Sequence, residues 1–256
     1  MARIFITGSA DGLGQMAAQR LVASGHSVVL HARSADRGRQ AMAAVPGAQQ
    51  AIAGDLASIA ETRGVAEQAN AIGRFDAVIH NAGVGYQEQR TDTVDGVEHV
   101  FAINVLAPYL LTALMHPPGR LVYLSSGMHR GGNAGLTDLQ WRQRKWNGSQ
   151  AYSDSKLFDV VLAFAVARLW PAVLSNALEP GWVPTKMGGP GAPDDINQGA
   201  ETQVWLAVSD DPRALVSGRY FFHKKLRSTH AGASDLQVQD GLLDACAKLT
   251  GVPLPG

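Results

Sequence analysis

Short apolar runs rich in Val, Ile and Leu alternate along this chain with longer segments of helical periodicity. Apolar strands separated by helices are typical of βαβ units, in which a parallel sheet is buried on both faces. The pattern therefore predicts an α/β protein with a doubly wound, seven-stranded parallel sheet. The predicted strands are residues 3–7, 27–31, 49–53, 76–80, 120–125, 175–178 and 219–222. The predicted helices are residues 12–23, 35–44, 59–72, 94–114, 152–169, 198–208 and 239–250.

Two segments interrupt the alternation of strands and helices. Residues 127–150 are polar and glycine-rich, and residues 185–197 are rich in Gly and Pro. We expect irregular loops there, at the carboxyl ends of the strands, where open α/β sheets bind their ligands. No internal repeat or linker divides the 256 residues, so residues 1–256 are predicted to form one domain.

The charge balance disfavours nucleic acid and anionic membranes as partners. Lys plus Arg and Asp plus Glu number 22 each, so the chain has no net field to attract polyanions. A single cysteine, Cys246, excludes a disulfide framework and a Cys-based zinc site within one chain. The eight histidines are scattered, and no metal is expected. With neither an export signal nor a long apolar stretch, we expect a cytoplasmic protein with no membrane partner.

Residues 7–14 read Thr-Gly-Ser-Ala-Asp-Gly-Leu-Gly, between the first predicted strand and the first predicted helix. Glycines at 8, 12 and 14 let a phosphate approach the backbone, where unpaired N–H groups and the helix dipole converge. The segment therefore indicates a dinucleotide phosphate site. Its spacing, G-x-x-x-G-x-G, differs from the usual G-x-G-x-x-G, so a purely structural turn is the alternative interpretation.

The residues after the second predicted strand indicate the cofactor. Ala32 stands where an acidic residue would accept the ribose hydroxyls of NAD, and Arg33 follows it. A guanidinium suits the 2′-phosphate of NADP, with Ser34 or Ser9 assisting. NADP(H) is therefore favoured and NAD(H) is the second choice. Asp11, in the glycine turn, opposes additional negative charge, and a merely solvated Arg33 is the alternative.

Two further turns follow predicted strands. Asp55 either accepts a hydrogen bond from an adenine amino group or stabilises a turn through its own backbone. Asn81, Ala82 and Gly83 are predicted to form a turn after the fourth strand that brings the backbone close to another group.

Tyr152 and Lys156 are four residues apart on a predicted helix, so both side chains lie on the same helical face. A neighbouring ammonium stabilises a phenolate and brings the phenol closer to the operating pH as a proton donor or acceptor. A surface pair with no chemical role is the alternative, because this spacing also arises by chance.

Taken in order, these motifs make the chain resemble the classical short-chain dehydrogenases/reductases. The residues that carry the resemblance are Thr7, Gly8, Gly12, Gly14, Asp55, Asn81, Ala82, Gly83, Asn104, Ser125, Ser126, Tyr152, Lys156, Pro180, Gly181, Val183 and Thr185. The resemblance implies a Rossmann-type fold that binds NAD(P) and passes hydride between nicotinamide and a carbonyl or alcohol carbon.

The resemblance also implies roles for individual residues. Tyr152 would be the acid/base, Lys156 would lower its pKa and hold the nicotinamide ribose, and Ser126 would orient the substrate oxygen. Asn104 would join a proton relay from within a locally distorted helix, and Thr185 would bind the carboxamide. The implied cofactor-binding residues are Gly8, Ser9, Gly12, Leu13, Gly14, Arg33, Ser34, Asp55, Leu56, Asn81, Ala82, Gly83, Tyr152, Lys156, Pro180, Gly181, Val183 and Thr185.

One spacing departs from the family pattern. About a dozen residues usually separate the catalytic Ser and Tyr, whereas Ser126 and Tyr152 are 26 apart, so Ser125 is kept as an alternative to Ser126. The expansion is similar to the branch of retinol dehydrogenase-like and WW-domain-containing oxidoreductases. Its basic and aromatic residues are interpreted as a lid wall or as ordinary packing, and a nucleic-acid surface is disfavoured. They are Trp141, Arg142, Arg144, Lys145 and Trp146.

The function predicted is an NADP-preferring oxidoreductase acting on a small-molecule carbonyl or secondary alcohol. The alternatives are an NADP-binding redox sensor without turnover and, less favoured, a methyltransferase. A homodimer or homotetramer is expected from the family. The apolar face of residues 157–169 is either a contact between copies or part of the core of the chain.

Overall fold

The computed structural model describes residues 1–87 and 89–255, and its strands form one sheet in the order β3-β2-β1-β4-β5-β6-β7-β8. The strands are β1 (Arg3–Ile6), β2 (Ser27–Ala32), β3 (Gln50–Ala53), β4 (Ala77–His80), β5 (Arg120–Leu124), β6 (Leu174–Glu179), β7 (Tyr220–Phe222) and β8 (Lys225–Leu226). Strands β1 to β7 pair in parallel, and β8 pairs antiparallel with β7. The doubly wound sheet and its seven parallel strands are confirmed. The two-residue β8 is an addition that no apolar run signals.

Helices cover both faces of this sheet. They are α1 (Gly12–Ala23), α2 (Ala35–Ala44), α3 (Ile59–Ile72), α4 (His99–Phe101), α5 (Ala107–Leu114), α6 (Gly148–Leu169), α7 (Ile196–Val208) and α8 (Leu236–Thr250). One apolar core lies between the sheet and α1, α2 and α7, and the other between the sheet and α3, α5, α6 and α8. Ile4 and Ile6 enter the first core and Phe5 the second. Burial on both faces is why the strands are apolar at successive positions.

Side-chain caps decide where several helices begin. The helix predicted over residues 94–114 starts only at His99, because Glu98 accepts hydrogen bonds from the N–H groups of Val100 and Phe101, both at 2.8 Å. The helix predicted from residue 152 starts earlier, at Gly148, where the Asn147 side chain accepts from Gln150 N–H. Such a cap satisfies amides that a first helical turn leaves unpaired.

The strand order reverses between β1 and β4, which places a crevice at the carboxyl ends of these two strands. The loops after β1, β4, β5 and β6 therefore meet at this edge of the sheet. The expanded segment after β5 begins with a 3-10 turn, Gly127–Gly131. The segment predicted to be irregular over residues 185–197 has neither helix nor strand up to residue 195, and α7 begins two residues earlier than predicted, at Ile196.

The middle of α6 belongs to the core of the chain itself. Leu157, Phe158, Val161 and Val166 are each at most 2% exposed, so these apolar residues match the core alternative. Among the described residues, no helix is both long and apolar enough to cross a lipid bilayer.

Candidate active site

The glycine turn after β1 packs directly on the turn after β4. A Cβ placed on Gly8 would lie 2.8 Å from Ala82 Cα, and one on Gly14 would lie 2.4 Å from Asn81 Nδ2. Gly8 and Gly12 have φ angles of +62° and +55°, in the left-handed region that glycine adopts without strain. Side chains at these positions would therefore disrupt either the contact between the turns or the turn itself.

Hydrogen bonds hold the two turns together. Thr7 Oγ1 accepts from the N–H groups of Asn81 and Ala82, each at 3.0 Å. The Asn81 side-chain amide donates to the carbonyl oxygens of Thr7 and Gly8, also at 3.0 Å. Residues 81–83 thus lie against the glycine turn, a contact that the sequence did not identify, and the Asn81 side chain shapes that turn.

The amino end of α1 is open to an anion. The first-turn amides of a helix have no intrahelical acceptor, and here they belong to the glycine-rich segment that includes Gly12, Leu13 and Gly14. The Asp11 carboxylate binds Arg37 Nη2 at 3.0 Å and Lys186 Nζ at 2.6 Å instead of capping the helix. These two cations offset the negative charge of Asp11, which would otherwise oppose the binding of a phosphate here.

Ser9 does not face this anion cradle. Its side chain is fully buried, donates to Ile6 O at 2.9 Å and accepts from His31 N–H at 2.9 Å. The expectation that Ser9 helps to hold a 2′-phosphate is corrected, because both the donor and an acceptor position of its hydroxyl serve the backbone. Ser34 caps α2 by accepting from Arg37 N–H, and the Arg33 side chain is exposed beside it.

His31, which the sequence analysis did not single out, links the glycine turn to β3. Gly8 N–H donates to His31 Nδ1 at 3.0 Å, and Nε2 lies 3.0 Å from Gly54 O. Burial lowers the pKa of His31 to about 4, so the ring is neutral at pH 7 with its proton on Nε2. A polar residue inside an otherwise apolar strand was the signal available in the sequence.

Asp55 stabilises its own turn. Its Oδ1 accepts from Ala57 N–H at 2.9 Å, and its backbone N–H donates to Glu61 Oε2 at 2.7 Å. Leu56 is 6% exposed and packs in the core. The turn interpretation of Asp55 is therefore present in the structure, and a contact with adenine stays a prediction.

Tyr152 and Lys156 lie near the amino end of α6, and both are buried. Lys156 Nζ is 5.9 Å from the centroid of the Tyr152 ring and donates to Leu124 O at 2.8 Å. Burial lowers the pKa of Lys156, but the charges of Asp159 and Tyr152 outweigh this and raise it. The ammonium thus stays protonated beside the phenol, and the alternative of a solvent-exposed surface pair does not apply.

Asn104 and Gly83 connect this pair to the glycine turn. A Cβ on Gly83 would lie 3.3 Å from Asn104 Oδ1 and 3.5 Å from Lys156 Nζ. Asn104 lies in a π-helical turn, Ala102–Leu106, which is the local distortion that the resemblance implies. Its side chain accepts from Val84 N–H at 2.8 Å and donates to Ser155 Oγ at 2.9 Å.

The two serines after β5 differ in what their hydroxyl groups do. Ser125 is buried and donates to Lys156 O at 2.7 Å. Ser126 is half-buried and accepts from Met128 N–H at 3.2 Å, which leaves its hydroxyl hydrogen available as a donor. The geometry favours Ser126 over Ser125 as a group that meets a substrate oxygen.

The loop after β6 reaches both the glycine turn and Tyr152. A Cβ on Gly199 in α7 would lie 2.9 Å from Val183 Cγ1, 3.2 Å from Pro180 O and 3.3 Å from Leu13 Cδ2, so three predicted cofactor residues meet there. Gly181 has a φ of +89°. Thr185 Oγ1 accepts from Gly188 N–H at 3.1 Å.

Two side chains near Tyr152 were missed by the sequence analysis. The Tyr152 hydroxyl lies 3.7 Å from Met187 Sδ, and the rings of Tyr86 and Tyr152 are 6.0 Å apart in an edge-to-face arrangement. Both come from irregular loops without a motif, so no local signal identified them. They place a thioether and an aromatic ring beside the phenol.

The two tryptophans and Arg144 of the expanded segment pack together, whereas Arg142 and Lys145 are exposed. The rings of Trp141 and Trp146 are 5.5 Å apart, and the Arg144 guanidinium lies 3.7 Å from the Trp141 ring centroid. Arg144 also pairs with Asp138 and Asp154. This arrangement matches the packing alternative.

Comparisons with known proteins agree with this architecture. A family model described as short chain dehydrogenase matches residues 2–195. An uncharacterized oxidoreductase of Emericella nidulans is 47% identical over 261 residues, covering all of both chains. Retinol dehydrogenase 13 of Homo sapiens is 30% identical over 287 residues, covering 98% of this chain and 85% of that protein. A blue fluorescent protein from a metagenomic library, solved in complex with NADPH, has the same fold with a TM-score of 0.69 at 22% identity, covering 91% of this chain and 98% of that one.

Proposed function

Since the chain belongs to the short-chain dehydrogenase family, and is on that ground an oxidoreductase that binds NAD(P)(H), we propose that it is an NADP-preferring carbonyl reductase or alcohol dehydrogenase with Tyr152 as acid/base. The observation that carries the proposal is the burial of Tyr152 and Lys156, with Lys156 Nζ beside Gly83, in a turn that packs on the glycine cradle. The proton-transferring pair and the phosphate site are therefore neighbours.

The residues present fit a dinucleotide. A Cβ on Gly14 would lie 2.6 Å from Gly8 O, so the cradle offers backbone rather than side chains to a ligand, next to the positive end of α1. Arg33 is exposed after β2, and Ala32 leaves no carboxylate beside it. A 2′-phosphate held by Arg33, with the Ser34 hydroxyl as a further donor, supports NADP over NAD.

The bound nicotinamide would supply or accept the hydride. Tyr152 Oη would donate its proton to the carbonyl oxygen during reduction, or accept the alcohol proton during oxidation. Ser126 Oγ would donate a hydrogen bond to the same oxygen, on which negative charge develops. The Lys156 ammonium stabilises the Tyr152 phenolate left by the proton transfer.

The surroundings of Tyr152 favour an apolar carbonyl substrate. Met187 Sδ lies next to the hydroxyl, the Tyr86 ring contacts the Tyr152 ring, and Trp182 in the same loop as Met187 is 56% exposed. Thioether and aromatic groups bury apolar surface without requiring polar partners.

The decisive experiment follows the loss of NADPH absorbance with a panel of apolar ketones and aldehydes. We expect Tyr152→Phe to bind NADPH with unchanged Kd and to lose turnover by about 10²- to 10⁴-fold, the range of general acid–base contributions. Tyr86→Phe removes the same hydroxyl from the adjacent ring and serves as the matched control. Binding of NADPH with no turnover on any carbonyl would favour the redox sensor, and full activity of Tyr152→Phe would remove this residue from its role.

Two further expectations accompany the proposal. The single, buried Cys246 is consistent with a reducing, cytoplasmic location. A homodimer or homotetramer remains an expectation from the family, and light scattering of the purified protein would decide it.

A further inference from the structure

We propose that Asp159 is a positioning residue that keeps Tyr152 protonated, by orienting the Lys156 ammonium and offsetting part of its charge. The inference rests on the proposed role of Tyr152 as the acid/base. It adds a residue to the site that none of the sequence motifs contains.

Asp159 and Lys156 form a buried ion pair on α6. The distance from Lys156 Nζ to Asp159 Oδ2 is 2.7 Å, and their side chains are 6% and 3% exposed. Nζ also donates to Leu124 O at 2.8 Å, so two of its three N–H groups have fixed directions. The tetrahedral geometry of the ammonium then fixes the direction of the third. Asp159 therefore determines how Lys156 is presented to the crevice beside Gly83.

The carboxylate also changes the charge that Tyr152 experiences. An ammonium alone favours the phenolate, whereas an anion 2.7 Å from that ammonium offsets much of its field at the phenol. Burial raises the pKa of Asp159 to about 6, against the opposing effect of Lys156. The Lys156 ammonium 2.7 Å away favours the ionised carboxylate, and an ionised carboxylate disfavours negative charge on the nearby phenol. A protonated phenol is the form required to reduce a carbonyl.

The other titratable groups on this side of Asp159 belong to the sheet, where Thr112 of α5 links them. Burial raises the pKa of Tyr123 on β5, and the charge of Asp159 adds to this. The Tyr123 hydroxyl lies 2.8 Å from Thr112 Oγ1, which in turn lies 3.1 Å from His80 Nε2. Burial lowers the pKa of His80 to about 3. Tyr123 and His80 are therefore uncharged at neutral pH, and Lys156 supplies the positive charge that meets Asp159.

The test is Asp159→Asn, which preserves shape and an oxygen acceptor for Lys156 but removes the negative charge. Phenolate formation at Tyr152 is followed by ultraviolet absorbance in the cofactor-free protein, as the difference between each protein and its Tyr152→Phe counterpart. We expect the midpoint to move to lower pH by about one unit, since one nearby charge changes an ionisation by about this much. The pH above which reduction is lost should fall equally.

Asp154→Asn is the matched control. Asp154 is also a buried carboxylate on α6, but it binds Arg144 at 3.2 Å and the Asn133 N–H at 2.8 Å rather than Lys156. Its loss should leave the Tyr152 midpoint in place. Reduced stability or kcat of Asp159→Asn with an unmoved midpoint would indicate a merely structural role and would overturn the proposal.

Two further measurements test the role of Asp159 if the variant does not fold or if the wild-type protein is inactive. If Asp159→Asn does not fold, the ¹³C NMR shift of the Asp159 carboxyl in the wild-type protein must show an ionised group at pH 8, and a protonated one would refute the inference. If the wild-type protein reduces no carbonyl, the proposed function fails, while the phenolate titration of the cofactor-free protein still decides the role of Asp159.

Discussion

Replacing Gly14 with alanine tests whether the glycine cradle is as tightly assembled as the structure shows. The added Cβ would lie 2.4 Å from Asn81 Nδ2, 2.6 Å from Gly8 O and 3.0 Å from Ser9 Cα. Ordinary contacts of this kind are about 3.5 Å or longer, so the Asn81 amide or the glycine turn must shift by about 1 Å. Either movement breaks the bonds from Asn81 to Thr7 O and Gly8 O.

The expected cost follows from those two hydrogen bonds. Each contributes about 1 kcal/mol net, and the higher helix propensity of alanine returns about 1 kcal/mol because Gly14 lies in α1. The steric shift adds to the loss, so we expect the free energy of unfolding to fall by about 1–2 kcal/mol. In a protein of this size that lowers Tm by about 2–8 °C. NADPH affinity should fall as well, because the shifted groups line the phosphate site.

Gly64→Ala is the matched control for this measurement. Gly64 lies within α3, and a Cβ there meets nothing within 4 Å among the described residues, so alanine should stabilise the protein by about 1 kcal/mol. Urea denaturation of both variants gives the free energies, and fluorescence titration gives the Kd for NADPH.

A double-mutant cycle isolates the contact with Asn81. The variant carrying both Gly14→Ala and Asn81→Ala should lose less stability than the sum of the single losses, since the removed amide makes room for the methyl group. Gly14→Ala stabilising the protein as Gly64→Ala does, with an unchanged Kd, would refute the argument that residues 81–83 and the glycine turn are in contact.

Two further predictions concern charge. Arg33→Ala should weaken the binding of NADPH by about 10- to 100-fold more than that of NADH, because charged hydrogen bonds to a 2′-phosphate are lost. The control is Arg39→Ala, which replaces an exposed arginine on α2. Equal weakening of NADPH and NADH binding by Arg33→Ala would place the 2′-phosphate elsewhere. Burial lowers the pKa of His31 to about 4 and of His80 to about 3, so the unfolded chain binds protons below pH 6.5 that the folded protein does not. Each histidine should therefore lower the free energy of unfolding by about 2 kcal/mol as the pH falls from 6.5 to 5. In urea denaturation, His80→Gln should lose about 2 kcal/mol less than the wild-type protein over this pH range. An equal loss in both proteins would contradict the lowered pKa of His80.

Much of the fold could be read from local patterns. The helices predicted over residues 12–23, 35–44 and 59–72 match α1, α2 and α3 at both ends. Each lies between two well-defined parallel strands, so the change from apolar run to helical period marks its limits. The helix predicted from residue 94 began in the wrong place, because the Glu98 cap acts through a side chain that periodicity does not register.

Part of the candidate site could also be predicted from local sequence patterns. The glycine spacing and the Tyr152 and Lys156 spacing are properties of a few consecutive residues, and the structure brings both to the same edge of the sheet. The prediction that Ser9 helps to hold the phosphate was wrong because the motif alone does not show which way the Ser9 side chain points. Its direction depends on the neighbouring strand β2. In β2, the backbone N–H of His31 donates to Ser9 Oγ, and the His31 ring accepts a hydrogen bond from Gly8 N–H.

Composition and periodicity alone established an α/β chain with a parallel sheet, a glycine turn ahead of a helix, and a phenol and an ammonium on one helical face. These follow from backbone preferences over a few residues, which act before any distant part of the chain is in place. Packing decided the rest: the thioether of Met187 beside Tyr152 joins residues 35 apart in the chain. Asp159 stands one helical turn from Lys156 in any α-helix, but its effect depends on burial, because water would screen the same pair at the surface.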